Sequence, residues 1–247
     1  MSTAAGASPE VAFPHKHSSK DAFITRNPVD LTHVVQITKF RSCAGHDYSP
    51  GAANPDGSTL PNKSLEWGRS MKHYIFVNLP DSPAGTMKGY APFNGTIQFN
   101  VGKTGSGIGV TVLSSDGQWA MTFAHVDPLV REGATVKAGQ PVMAWPPKDL
   151  PAYNDIKYGP GNHPDVGVFD LVLEGRSASG ARNLQSPLAH MVPAVAKAWA
   201  DKGFTPANAI LSKRYRDDHP CTLGPDNFQF VPGMSVDDLV NAIGYTG

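Results

Sequence analysis

The stretch Tyr90-Ala91-Pro92-Phe93-Asn94-Gly95-Thr96-Ile97 opens a run that ends at Trp145. The run passes through Gly105-Ser106-Gly107-Ile108-Gly109-Val110 and Phe123-Ala124-His125-Val126. It closes on Glu132-Gly133-Ala134-Thr135-Val136-Lys137-Ala138-Gly139-Gln140-Pro141-Val142. Short β-branched segments alternate with Gly-centred turns at a spacing that describes a compact, tightly turned β-domain. The one histidine of this run, His125, lies inside the apolar segment 121–126. What that imidazole faces decides the function.

Outward from this run, further strands are expected at 33–40, 72–79 and 167–173, beside those near 96–101, 109–114, 118–125 and 142–145. Pro/Gly/Asn-rich loops fill 41–69 and 146–164, and loops of that length tend to carry function. After residue 185 the period changes. Ser186-Pro187 is expected to cap a helix to about residue 201, with Leu188, Met191, Val192, Val195 and Trp199 on one face. Thr205-Pro206 starts a second helix, with Thr as cap and Pro in the first turn, and Ser235 caps a third over 235–243. The expected plan is a polar arm at 1–30, a mainly antiparallel β-domain at 31–193 and a helical C-terminal extension at 194–247.

Charge narrows the function classes. Lys plus Arg equals Asp plus Glu, at 21 each, and no basic run gives a footprint for nucleic acid or an anionic membrane. No apolar stretch approaches the ~18 residues of a spanning helix. The first twenty residues lack the apolar centre of a signal peptide; the compartment stays open, extracellular if a leader was removed. The two cysteines, Cys43 and Cys221, are too few for a disulfide scaffold and form no CxxC. A bridge between them would tie the C-terminal tail to the start of the core. Cys43 is otherwise a ligand or a buried apolar side chain.

Two motifs are set aside. Gly102-Lys103-Thr104 resembles the end of a phosphate loop, but that motif needs glycine where Ile97 stands. The A-P-x-x-G-T-I and V-x-A-G-Q-P-V pair is also similar to biotinyl and lipoyl carrier domains. Those need a modifiable lysine in the hairpin that here reads Ala144-Trp145-Pro146-Pro147.

The same two elements belong to a longer match. In order come F-x-S-x-x-G-x-D at 40–47, A-P-x-x-G-T-I at 91–97, G-x-G-x-x-V at 105–110 and F-A-H-V at 123–126. V-K-A-G-Q-P-V at 136–142, a strand at 168–173 and S-P-L-A-H-M at 186–191 complete it. Over about three-fifths of its length the chain thereby resembles the lysostaphin-like (LytM-type) zinc endopeptidases that cut peptidoglycan cross-bridges, of the duplicated hybrid motif fold. The resemblance implies an antiparallel β-domain and a cell-wall setting. It also implies a zinc held by a His and an Asp four residues apart, with the second His of an H-x-H pair. A further His, on the strand matching 123–126, assists the bound water. Such a zinc keeps three protein ligands and lowers the pKa of water at the fourth position.

The ligands depart from the family pattern. H-x-G-x-D falls on Cys43-Ala44-Gly45-His46-Asp47, and H-x-H on Val168-Phe169-Asp170. The metal candidates are therefore Cys43, Asp47 and Asp170, with His125 as the catalytic candidate. Thiolate and carboxylates both bind zinc, although three anionic ligands make it a poorer Lewis acid. Each candidate has a plainer reading: an Asx turn for Asp47, a solvent-facing register for Asp170, a hydrogen-bonded core residue for His125. A carboxylate inside V-F-D-L-V-L costs several kcal/mol unless paired or metal-bound. Arg69 or Lys72 could pair with Asp47 or Asp170 and turn the site into an ion-pair network without metal.

His46, Tyr48 and His73 are expected to bind substrate, Glu66 and Trp67 to line the groove. His163 and Asp165 are candidates for a substitute ligand, and Trp119, Trp145 and Trp199 are expected as core or hinge packing. Two functions follow. One is a catalytically degenerate domain, without cofactor, that binds a peptide, a glycan or a protein. The other is a metallohydrolase with zinc on Cys43, Asp47 and Asp170. Val168, standing where the family has an imidazole, favours the first. The oligomeric state stays open.

Overall fold

The computed structural model describes residues 21–49, 66–78, 85–101, 108–147, 166–176 and 182–245. Within these, strand β1 spans Val34–Thr38, β2 His73–Asn78, β3 Met87–Tyr90, β4 Gly95–Val101, β5 Ile108–Ser114 and β6 Trp119–Pro128. Strand β7 spans Thr135–Val136, β8 Pro141–Trp145, β9 Val166–Arg176, β10 Arg182–Gln185 and β11 Leu239–Asn241. The expected mainly β, antiparallel architecture is the one observed. The sheet runs β11-β1-β2-β9-β6-β5-β4-β7, with β10 beside β9, and β8 joined to both β3 and β6.

Alternation along the central strands divides the sheet into two faces. Ile75, Val77, Phe169, Leu171, Leu173, Trp119, Met121 and Phe123 share the main core with Trp145 and Trp199. The three tryptophans expected as packing are each at most 2% exposed. The opposite face carries Tyr74, Phe76 and Val168, packed with Ala44, and it is on this face that the site lies. The β5–β6 hairpin turns where Asp116 accepts hydrogen bonds from Ser114 Oγ and the Gln118 amide. Where β9 passes under Trp145, Gly167 leaves room: a Cβ there would lie 2.0 Å from the indole.

The C-terminal third departs from expectation. The single helix expected from 186 divides into a 3-10 turn at Pro187–His190 and helix α1 at Pro193–Asp201. Proline disfavours helical backbone in the residue before it, and Val192 is extended, with ψ 157°. Helix α2, Pro206–Ala209, starts as expected under a Thr205 cap. Helix α3, Lys213–Asp218, was not anticipated; it is capped by Ser212 and braced by Arg214–Asp218 and Lys213–Asp217 pairs one turn apart. The third expected helix stops at a 3-10 turn, Val236–Asp238. The chain then extends as β11, because the open edge of β1 takes up its backbone groups. The C-terminal extension thus carries short helices, as expected, and also contributes β11 to the sheet. Over residues 21–31, Ile24, Val29 and Leu31 are buried and Ile24 bridges to Met191. Residues 1–20 lie outside the described residues.

Candidate functional site

Asp170 sits at the centre of β9, opposite Tyr74 of β2 and Ala124 of β6. It is 4% exposed, so the solvent-facing register is not adopted and the carboxylate needs a partner. The partner is Lys72, whose Nζ donates to Asp170 Oδ2 at 2.7 Å. Lys72 precedes β2 by one residue and, two positions before Tyr74, points to the same face. Burial alone would lower the lysine pKa and raise that of the aspartate; their mutual attraction wins, holding Lys72 above and Asp170 below its ordinary range. Asp170 Oδ1 is buried and has no hydrogen-bond partner among the described residues.

The ammonium has further partners. It lies 3.0 Å from His46 Nε2. It sits 4.4 Å from the Tyr74 ring centroid and 4.9 Å from that of Tyr48. The His46 tautomer follows from its neighbours. Nδ1 lies 3.0 Å from the Asp47 carbonyl, which can only accept, so Nδ1 carries the proton and Nε2 accepts from the lysine. Burial and the adjacent Lys72 charge push the His46 pKa down to about 3, keeping this ring neutral.

His125 reaches the cluster through a backbone irregularity. In a regular strand it would point away from the face that holds Ala124 and Asp170. Instead φ is 68°, and β6 has one extra residue relative to β5, since Ile108 pairs with Val126 but Val110 with Phe123. From Asp127 the strand leaves β9 and pairs with β8. Such a bulge re-aims a side chain, and here it brings His125 Nε2 to 3.6 Å from Asp170 Oδ2, with the imidazole 22% exposed. His125 and Asp170 thus approach one another from β6 and β9.

The segment 41–49 carries the remaining expected ligands, and the structure separates them. Cys43 is bonded to Cys221. Its sulfur is therefore no thiolate, and the expected metal-ligand role of Cys43 is corrected to a disulfide half. Asp47, 1% exposed, spends both oxygens on the neighbouring loop, accepting from the Gly68 and Arg69 amides at 3.2 Å each. Burial raises its pKa. His46, next along, turns inward to Lys72, stacks on Phe228 of the tail at 4.3 Å and stands edge-on to Tyr48. Gly45, with φ 69°, lets the Tyr74 hydroxyl approach.

His73 is corrected from a substrate-binding position to an interior one. It is 0% exposed on the core face of β2, where Nδ1 donates to the Thr38 carbonyl and Nε2 accepts from Ser186 Oγ. Burial pushes its pKa down to about 4. Of the two cations considered, Lys72 does pair with Asp170, whereas Arg69 pairs with Glu66 and Asp217. Trp67 is 58% exposed; His163 and Asp165 lie outside the described residues. Tyr74 and Phe228 were not anticipated. Tyr74 could have been found from its i, i+2 relation to Lys72; nothing local marks Phe228, which arrives from the tail.

The residues that the resemblance would assign to zinc do not fit it. Cys43 lacks a thiolate, Asp47 is turned to backbone amides, and Asp170 holds an ammonium. Among the described residues no group of three or more His, Cys, Asp or Glu side chains is arranged for a metal ion.

No family model matches the chain, and no curated protein matches it. Solved structures similar to it include lysostaphin, at 17% identity and TM-score 0.34, covering 64% of this chain and 54% of that one. A zinc-containing peptidase from Vibrio cholerae is 15% identical with TM-score 0.35, covering 70% of this chain and 40% of that one. A chain of the SpoIIQ–SpoIIIAH pore-forming complex is 19% identical with TM-score 0.39, covering 73% of this chain and 99% of that one. The chain thus spans about half the length of lysostaphin and less of the Vibrio peptidase.

Proposed function

We propose that this domain is a non-catalytic binding module for a peptide, glycan or protein segment, held along the sheet face beside His125. The observation that carries the reading is the disulfide at Cys43, which spends on structure the sulfur a rebuilt hydrolytic centre would use. Asp47 is spent similarly, on the 68–69 amides. What remains accessible near the cluster is a set of rings: partly exposed His46, Tyr48 and His125, with Trp67 exposed on the loop that Asp47 fixes. Aromatic groups of this kind offer contact area at low entropic cost, with polar tips for orientation.

The test is binding of the full chain to purified cell-wall sacculi and to their soluble glycan–peptide fragments, with released amines monitored in parallel. Retention without release is expected, and Tyr48→Ala or His125→Ala should weaken it by about tenfold, as central contacts do. Release of new amino groups, with or without added zinc, would overturn the reading, as would absence of retention on sacculi, fragments and extended peptides alike.

A further inference from the structure

We propose that the site is built around an ammonium ion, and that the ion is the chain's own Lys72, standing where the resemblance places a metal. Lys72 is 2% exposed, and its ammonium is hydrogen-bonded to two side chains. These are Asp170 Oδ2 at 2.7 Å and the lone pair of His46 Nε2 at 3.0 Å. Ring faces of Tyr48 and Tyr74 flank the charge at 4.9 and 4.4 Å. One carboxylate, one neutral nitrogen lone pair and two electron-rich rings form the donor set that recognises an alkylammonium. A zinc site would instead draw on several imidazoles, thiolates or carboxylates converging on one point.

The surrounding backbone is organised around this cation. Gly45 has no side chain where the Tyr74 hydroxyl lies, and the His46 tautomer is set so that its lone pair faces Lys72. Asp170 opposes Tyr74 directly across the β2–β9 pair. The cage is therefore filled from within, and an external ligand meets its rim, at His125 and Tyr48. Truncating the lysine should leave a vacancy with the shape and charge preference of a short primary amine.

The inference rests on the non-catalytic reading of this site, but its readouts are metal content and melting temperature rather than ligand binding. Either can therefore fail alone. Full-length protein purified without added metal should carry no stoichiometric zinc, and chelator should leave its melting temperature unchanged. Lys72→Ala should lower that temperature by about 10 °C, since a buried carboxylate loses its counter-ion. n-Propylammonium at tens of millimolar should restore several degrees by mass action, with potassium at equal ionic strength as control. If Lys72→Ala fails to fold, Lys72→Met/Asp170→Leu removes both charges and should melt within about 5 °C of the parent, indifferent to amine. Stoichiometric zinc in the parent chain would overturn the proposal. So would stabilisation of Lys72→Ala by zinc but not by the amine, or a double variant as unstable as the single one.

Discussion

Tyr74 Oη occupies the space that a side chain on Gly45 would need: a Cβ there would lie 2.1 Å from it. The contact joins loop 41–49 to strand β2 and fixes the ring on which the Lys72 ammonium rests. Gly45 also has φ 69°, a backbone state that L side chains adopt with strain. Gly45→Ala should therefore cost about 2–3 kcal/mol, combining overpacking with the φ penalty. Urea denaturation measures it; a loss under about 0.5 kcal/mol would show that Tyr74 moves aside without consequence.

Stability should fall on mild acidification. His46 and His73 are held down to about 3 and about 4 in the folded chain, against about 6.5 when unfolded. The unfolded state takes up their protons first. Their contribution is thus complete above about pH 6.5 and is lost as pH falls towards the folded values. Asp170, held below its ordinary range, adds a loss below about pH 4. Asp47, pushed up by burial, works the other way at the acid end. Melting temperature should drop between pH 7 and pH 5, and His73→Asn should flatten that slope; an unchanged slope would place both rings in contact with solvent protons.

His125 offers a comparison between two variants. Both His125→Ala and His125→Gly lose the approach to Asp170, but alanine retains the strain of φ 68°. Glycine should be the more stable by about 1 kcal/mol. Equal denaturation midpoints would mean that the bulge relaxes once the imidazole is gone.

The Cys43–Cys221 bond closes a separation of 178 residues. Cys221→Ser should cost about 2–5 kcal/mol, read by guanidinium denaturation against the parent with and without reductant. If reductant leaves the parent unaltered, the tail is held by its other contacts, such as the Asp238 carboxylate accepting from the Cys43 amide.

The sheet was legible because its strands alternate against an apolar core: V-F-D-L-V-L and K-H-Y-I-F-V-N announce β9 and β2. The burial cost of Asp170 was legible too, and with it the demand for a partner. Three things were not. The choice of Lys72 over Arg69 depends on β-pairing register, which sets Lys72 and not Arg69 on the Asp170 face. The inward turn of His73 depends on strand phase, because one residue's shift exchanges the faces. The role of residues 219–241 depends on long-range contacts, with Phe228 stacking on His46 and β11 pairing with β1. Helix signals at Ser235 were real, as its amide and hydroxyl donating to Asp238 Oδ2 attest, but an unfilled β edge outweighed local propensity.

That β11 lies along β1 bears on how the domain is handled. A shortened version ending near residue 193 would bare the backbone donors and acceptors of Gln36, Ile37 and Thr38, and an uncovered strand of this kind recruits another chain. Such a fragment should elute from size-exclusion chromatography as self-associated species, while the chain carried through Tyr245 keeps that border sealed.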